Sequence, residues 1–373
     1  NSVRNSALLL ALLFLAEVMF ELNYDDRQAR LEDAIRMTAP GTALRHALDM
    51  IIAGHMGALI CVGDTENVLA AGDDGFKLDV SFTSNRLFEL CKMDGAVVLD
   101  KDLTKILRAN YHLNPDPSLP TTETGTRHRT AARMSLLTKA VVVSVSERRQ
   151  VVNVYVDGSG FELKPLASLM VSVNQLAVAM QNTRQQLDRS LLRLTSLELD
   201  NYVTLGDVTN IFYLFETLMT ADNELEDCIM QLGREGRTVS MQRSELLGSM
   251  DEAYTLMIRD YASDSSEESA RQIRAKLHEA DNTKLRSAKY VAKLLGYTDE
   301  RGEDSIMTPL GLRTLSRVSV VRDGMADKLV DEYGSLQEVL EAVDDDPARL
   351  GEIGVKNPGV LANSLHRMWG KSE

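Results

Sequence analysis

The sequence predicts an α+β protein: an N-terminal mixed β-sheet flanked by helices, then an all-α spine, then a C-terminal helix-hairpin-helix domain. Three observations carry this. Near Pro165 the apolar pattern changes from short β-branched runs to long stripes at helical spacing. The composition is ordinary for a globular protein, and 373 residues are enough for more than one buried core. Beyond residue 306 short apolar stretches are separated by turn glycines such as Gly324, Gly334 and Gly354. The expected divisions are an apolar extension over 1–22, the sheet domain over 23–160, the spine over 161–300 and the tail over 306–373.

Residues 7–16 are all apolar, like the core of a signal peptide, but no small-x-small cleavage pattern follows and the run is too short to span a bilayer. A buried helix, an appended extension and a membrane role all stay open there. Residues 25–37 and 42–52 repeat at helical spacing around the break Pro40-Gly41. Ala58 to Val62, between Gly57 and Gly63, has the continuous apolar character of a strand buried on both faces. Residues 68–70 and 76–80 read as strands around a Gly72–Gly75 turn, in which Asp73 and Asp74 are turn formers. Thr83 is the expected cap of a helix over 85–92, and Met93-Asp94-Gly95 its exit into a strand at 96–99. A strand over 106–113 ends at Asn114-Pro115, and after a polar loop Thr126 is the expected N-cap of a helix running past Leu137. Strands at 140–145 and 151–156 complete the domain.

In the spine, helices are expected over 166–197, 211–219, 225–232, 244–261 and 266–295, with Leu205-Gly206-Asp207 as a break and Gly233–Arg237 as a hairpin. Its methionines read as core filler. In the tail, one helix ends at Tyr333-Gly334 and another covers 361–365.

The formal net charge of −14 excludes a protein coated in basic surface, so any nucleic-acid contact must be local. Cys61, Cys91 and Cys228 are widely spaced and the six histidines show no metal-site spacing, which points to a reducing compartment and no zinc site.

Two short signatures carry chemistry. Asp94 puts a carboxylate beside Gly95, at a helix-to-strand corner where it can hold a divalent cation. Arg127-His128-Arg129 puts basic side chains at a helix start that is already positive by its dipole, which costs stability unless an anion is bound. Taken singly, Asp94 reads as a turn residue and His128 as a capping histidine; together they ask for a nucleotide. Glu147 reads as a loop carboxylate or a second metal ligand.

Asp94-Gly95-Ala96 and Arg127-His128-Arg129 at this separation, ahead of a helical spine and a helix-hairpin-helix tail, resemble the diadenylate cyclases of the DNA integrity scanning family, over about residues 38–373. The resemblance implies a catalytic set of Asp94, Arg127, His128 and Arg129, with Mg²⁺ or Mn²⁺ on Asp94. It implies a nucleotide held by Gly75, Asp94, Gly95, Leu113, Thr126, Arg127, His128, Thr130, Ser146 and Arg149, with Gly57-Ala58-Leu59 lining the base and ribose pocket. Two ATP would be condensed to cyclic di-AMP and two pyrophosphates across a face-to-face pair of cyclase domains, within an octamer. Lys328, Gly354, Lys356, Asn357 and Arg367 would contact branched DNA such as four-way junctions, in a cytoplasmic, nucleoid-associated protein.

The tail departs from the family. Residues 306–373 hold eight Lys or Arg against eleven Asp or Glu, and the usual Gly-apolar-Gly hairpin reads Glu352-Ile353-Gly354. Two other readings follow: a DNA-structure-binding protein that senses ATP without turnover, and a membrane-anchored cyclase.

Overall fold

In the computed structural model, which describes residues 26–322 and 324–368, the run Ala58–Val62 is strand β1, buried along its whole length. Alternation along β1 sets the layering. Ala58, Ile60 and Val62 point into a core with Ala34, Leu44, Leu48, Ile51 and Leu87. Those residues come from α1, helical over residues 26–37, from α2 (Ala43–Ala53) and from α4 (Ser84–Leu90). Leu59 and Cys61 point the other way, to Val68 of α3 (Thr65–Ala70) and to Ala131, Ala132 and Met134 of α5 (Thr126–Leu137). Each aliphatic side chain buried this way contributes about 1.5–3 kcal/mol.

The other strands are β2 (Gly72–Asp73), β3 (Phe76–Ser81), β4 (Ala96–Leu99), β5 (Lys105–Leu113), β6 (Val141–Ser146), β7 (Val151–Val156) and β8 (Ser159–Glu162). Their order is β2-β5-β4-β1-β6-β7-β8, with β3 also paired to β5. β1 and β4 are parallel and the remaining pairs antiparallel, so the sheet is mixed, as the sequence predicts.

Several local expectations are corrected. Residues 68–70 belong to α3, a short helix held by Val68 N–H on the Asp64 carbonyl, and only Val68 of the three is fully buried. Three apolar residues are too few to separate the two periods. Gly72-Asp73 is a two-residue strand against His112 and Leu113 rather than part of a turn, and β8 was not foreseen. Thr83 caps α4 as expected, accepting from Arg86 N–H.

The chain packs as two units, one reaching Val173 and including Glu226–Ser240, the other comprising Asn174–Leu225 and the residues from Met241 onward. α6 (Leu166–Leu199) and α7 (Leu205–Leu232) are long helices. The expected break at 205–207 is the start of α7. Thr204 Oγ1 donates to Asp207 Oδ2 at 2.7 Å while Asp207 N–H donates back to Thr204 Oγ1 at 3.2 Å, a reciprocal cap that tolerates Gly206 in the first turn. Gly233–Gly236 is a 3₁₀ turn rather than a hairpin. The two long helices expected beyond it are divided: α8 (Arg237–Leu247) and α9 (Met250–Tyr261) by left-handed Gly248, and α10 (Glu267–His278), α11 (Asn282–Leu285) and α12 (Ala288–Leu294) by the caps Asp281 and Ser287.

The tail consists of α13 (Leu312–Ser316), α14 (Met325–Tyr333), α15 (Leu336–Asp345), α16 (Arg349–Glu352) and α17 (Pro358–Met368). The pairs α13/α14 and α16/α17 are each joined by a turn with a left-handed glycine, Gly324 and Gly354. They share one core with α15 and with Leu199 of α6. A buried polar cluster lies beside it. Arg313 Nη2 donates to Glu198 Oε2 at 2.6 Å, Tyr261 OH to Glu198 Oε1 at 2.8 Å, and Asp260 accepts the N–H groups of Gly311, Leu312 and Arg313 at the start of α13. Burial, with the Glu198 carboxylate close by, pushes the Asp260 carboxyl up to about 7.

Among the described residues no helix is long and apolar enough to cross a membrane. The apolar run at 7–16, and with it the extension assigned to 1–22, lies outside them.

Candidate nucleotide site

Residues singled out in the sheet domain gather at the end of the sheet where the central strand β1 begins. The parallel β1/β4 ladder (Ile60 opposite Val97) brings Asp94 and Gly95, which lead into β4, to the same end of the sheet as Gly57, which leads into β1. Carrying the β1/β6 register (Ala58 opposite Val145) one step further sets Gly57 level with Ser146. The Arg127 guanidinium from α5 lies directly on Gly57, where a Cβ would sit 2.8 Å from Arg127 Cζ. Arg127 Nη1 is also 3.9 Å from Glu147 Oε2, and Arg149 N–H donates to Ser146 Oγ at 3.3 Å. Asp94, Arg127, Ser146, Glu147 and Arg149 therefore surround the start of one strand.

The Asp94 corner is fixed by backbone. Its carbonyl accepts from Asn110 Nδ2 at 2.7 Å, and its exposed carboxylate has no partner among the described residues. Gly95 has φ +86, and a Cβ there would lie 2.8 Å from the Asn110 carbonyl carbon. Across β5, Gly75 has φ +76, and its Cβ would lie 2.8 Å from Asn110 O. Asn110 is itself left-handed, at φ 52, where the β4/β5 ladder shifts register. Both glycines are thus required by close approach to one irregular point in β5. Leu113, half-buried, closes the same strand against Gly72.

α5 supplies the basic side. Gly125 is its N-cap and makes no side-chain cap; the expected N-cap, Thr126, is the first helical residue and is exposed. With no side chain capping them, the first-turn N–H groups are available to an anion. Arg129 is exposed, Thr130 half-buried and His128 buried, with no hydrogen-bond partner on Nε2. Burial pulls the His128 pKa below its ordinary value; Glu123 opposes this, and Arg149 and Arg127 add to it. The neutral imidazole is favoured. Cys61 and Cys91 are buried, with thiols pushed up to about 12, and supply no nucleophile.

Three features were not singled out from the sequence. Asn110 shapes the Asp94 corner, and Tyr155 and Glu123 lie behind His128. None has a local signal, because each acts across a long sequence separation.

In the tail, Lys328 is exposed on α14, and Lys356, Asn357 and Arg367 are exposed on and beyond the turn containing Gly354. A Cβ on Gly354, at φ +105, would lie 3.7 Å from Met325 Cε at the start of α14, so the second glycine turn abuts the helix that carries Lys328.

A family model described as the DisA bacterial checkpoint controller nucleotide-binding region matches residues 45–159, and one described as its linker region matches residues 163–303. The DNA integrity scanning protein DisA of Symbiobacterium thermophilum is 39% identical over 334 residues, covering 90% of this chain and 94% of that protein. This chain belongs to the DisA family. The DisA protein of Corynebacterium glutamicum strain ATCC 13032 is 39% identical over 328 residues, 87% of this chain and 90% of that one. That of Streptomyces avermitilis is 37% identical over 339 residues, 90% and 91% of the two chains. Among solved structures, DacA from Staphylococcus aureus aligns with 38% of this chain and 88% of its own at 22% identity, with a TM-score of 0.26, too low to carry an argument. Every sheet-domain residue named above for the site falls inside the DisA nucleotide-binding match.

Proposed function

We propose that this chain is a diadenylate cyclase that condenses two ATP into cyclic di-AMP and two pyrophosphates, with output responsive to branched DNA held by the C-terminal helices. The observation that carries the reading is the Arg127 guanidinium seated on Gly57, at the end of the sheet where Asp94 leads into β4 and Ser146 ends β6, inside a matched nucleotide-binding region.

The uncapped first turn of α5, with Thr126 and Thr130, takes the triphosphate, and Arg127 and Arg129 neutralise it. Ser146 from the end of β6 and Arg149 from the turn after it close on it, while Gly75, Gly95 and Leu113 leave room for base and ribose beside β5. His128, kept neutral by burial, can accept or donate a hydrogen bond without adding fixed charge. Among the described residues no cluster of three or more side chains would hold a metal. One unengaged carboxylate, Asp94, suits Mg²⁺ or Mn²⁺, whose other ligands would be phosphate and water oxygens. Such a cation would offset charge on the phosphates.

The 3′-hydroxyl of each ATP gives its proton to solvent and bonds to the α-phosphorus of the opposite ATP as the bond from that phosphorus to pyrophosphate breaks, so two such steps close the ring and release two pyrophosphates. The residues gathered here hold one nucleotide, so a facing copy supplies the other, and four such pairs make the octamer. In the tail, Lys328, Lys356, Asn357 and Arg367 contact DNA backbone around Gly354, and the net negative charge of this segment keeps that binding local. We place the activity in the cytoplasm, at the nucleoid.

Incubating purified protein with ATP and either metal should yield cyclic di-AMP by mass spectrometry, and Asp94→Asn should abolish it without lowering the melting temperature. No product with either metal, from protein shown to be oligomeric, would sink the enzyme reading. ATP binding without turnover, together with tight junction binding, would favour the non-catalytic DNA-binding reading.

A further inference from the structure

Behind the basic turn of α5 stands a buried contact that the proposed chemistry does not use. Tyr155 of β7 is 1% exposed, and its hydroxyl donates to Glu123 Oε1 at 2.9 Å. Its ring meets His128 edge to face, with centroids 6.4 Å apart and planes at 80°. The space for that ring comes from its cross-strand partner in β8, Gly160, where a Cβ would lie 2.8 Å from Tyr155 Cδ1. Burial and the Glu123 carboxylate push the phenol well above its ordinary range, so it remains a donor.

Glu123 stands just ahead of Gly125, the residue from which α5 starts. Its own N–H donates to Thr121 Oγ1 at 3.2 Å. Further back in the same loop, Arg133 Nε donates to Leu119 O at 3.0 Å. The polar loop is therefore tied at one point to α5 itself and at another, immediately before the phosphate-binding turn, to the sheet.

We infer that Tyr155 and Glu123 are positioning residues of the nucleotide site: the Tyr155 hydroxyl anchors the turn that begins α5, and its ring fixes the His128 imidazole, so that the turn is set before ATP arrives. For its effect on turnover the inference rests on the cyclase reading; for its effect on ATP binding it does not. The tie connects a buried phenol to a charged acceptor, one of the stronger classes of hydrogen bond, and its loss should loosen the turn rather than the sheet.

The test is a double-mutant cycle on the full chain, read as ATP affinity by calorimetry and as KM for ATP and kcat for cyclic di-AMP formation. Tyr155→Phe keeps the ring and removes the tie; Glu123→Ala removes it from the other side; Glu123→Gln retains an acceptor oxygen. The first two should each weaken ATP binding roughly tenfold and raise KM more than they lower kcat. Their combination should be no worse than either alone, and Glu123→Gln should stay within about twofold of the parent. A purely structural role would lower the melting temperature and leave ATP affinity and KM unchanged. Parental affinity in Tyr155→Phe, or losses that multiply in the double variant, would overturn the inference. Should Tyr155→Phe not fold, the contrast between Glu123→Ala and Glu123→Gln decides it. Parent protein that binds ATP but makes no cyclic di-AMP refutes the cyclase reading while the affinities still decide this one; parent protein that binds no ATP refutes both.

Discussion

Gly57→Ala separates the candidate nucleotide site from the fold. Gly57 does not occupy the left-handed region, so alanine meets no backbone penalty there. The new Cβ would instead overlap the Arg127 guanidinium, the flexible end of a side chain that is 42% exposed and can swing away. The cost therefore falls on where Arg127 points. A charge-assisted hydrogen bond to phosphate is worth about 1.5–3 kcal/mol, which at about 1.4 kcal/mol per factor of ten corresponds to a loss of roughly 10- to 150-fold. Gly57→Ala should therefore weaken ATP binding in calorimetry by at least about tenfold while urea unfolding shifts by less than about 0.5 kcal/mol. Arg127→Ala should give a similar loss, and the two together no further loss. Full ATP affinity in Gly57→Ala would refute the idea that Arg127 acts from its seat on this glycine.

Gly95→Ala should act on the fold itself, because at φ +86 the new Cβ lies 2.8 Å from the Asn110 carbonyl carbon; about 1–3 kcal/mol of stability should be lost in urea unfolding. Arg313→Ala removes the cation from a cluster in which Glu198 is 0% and Asp260 1% exposed, and should cost about 3–5 kcal/mol by the same measurement. His128 is depressed below its ordinary value of 6.5, so the unfolded chain takes up its proton first. Its contribution to stability is present above that value and is lost as the pH falls below it, through the depressed folded value. His128→Asn should flatten the fall in melting temperature on that acid side, and an unchanged slope would count against a buried neutral imidazole.

The scaffold was legible wherever a local pattern had one physical outcome. The unbroken apolar run of β1 could only be buried on both faces, and Thr83 capped the helix that leads toward Asp94. α3 was not legible, because three apolar residues fit either period, and α7 begins earlier than expected because the Thr204 and Asp207 cap offsets the helix-weakening Gly206 between them. At the candidate site, Asp94 and Arg127 were nameable as candidates from their types and order. Their relation was not, since it depends on Gly57 as a seat and on the irregular backbone at Asn110, both set by strand pairing. Tyr155 and Glu123 lie |i−j| = 32 apart and announce nothing in either neighbourhood.

The buried cluster at α13 bears on how this chain can be dissected. A cut just before residue 306 would look clean in sequence, yet it removes Arg313 and the three N–H groups that hold Asp260. Glu198 and Asp260 would be left as carboxylates in an interior made for a cation, and Leu199 would lose the neighbours it packs against. A shortened chain that fails to accumulate would report this injury to its spine and say nothing about regulation by DNA. A deletion intended to ask that question should also carry a neutral residue at Glu198 and at Asp260.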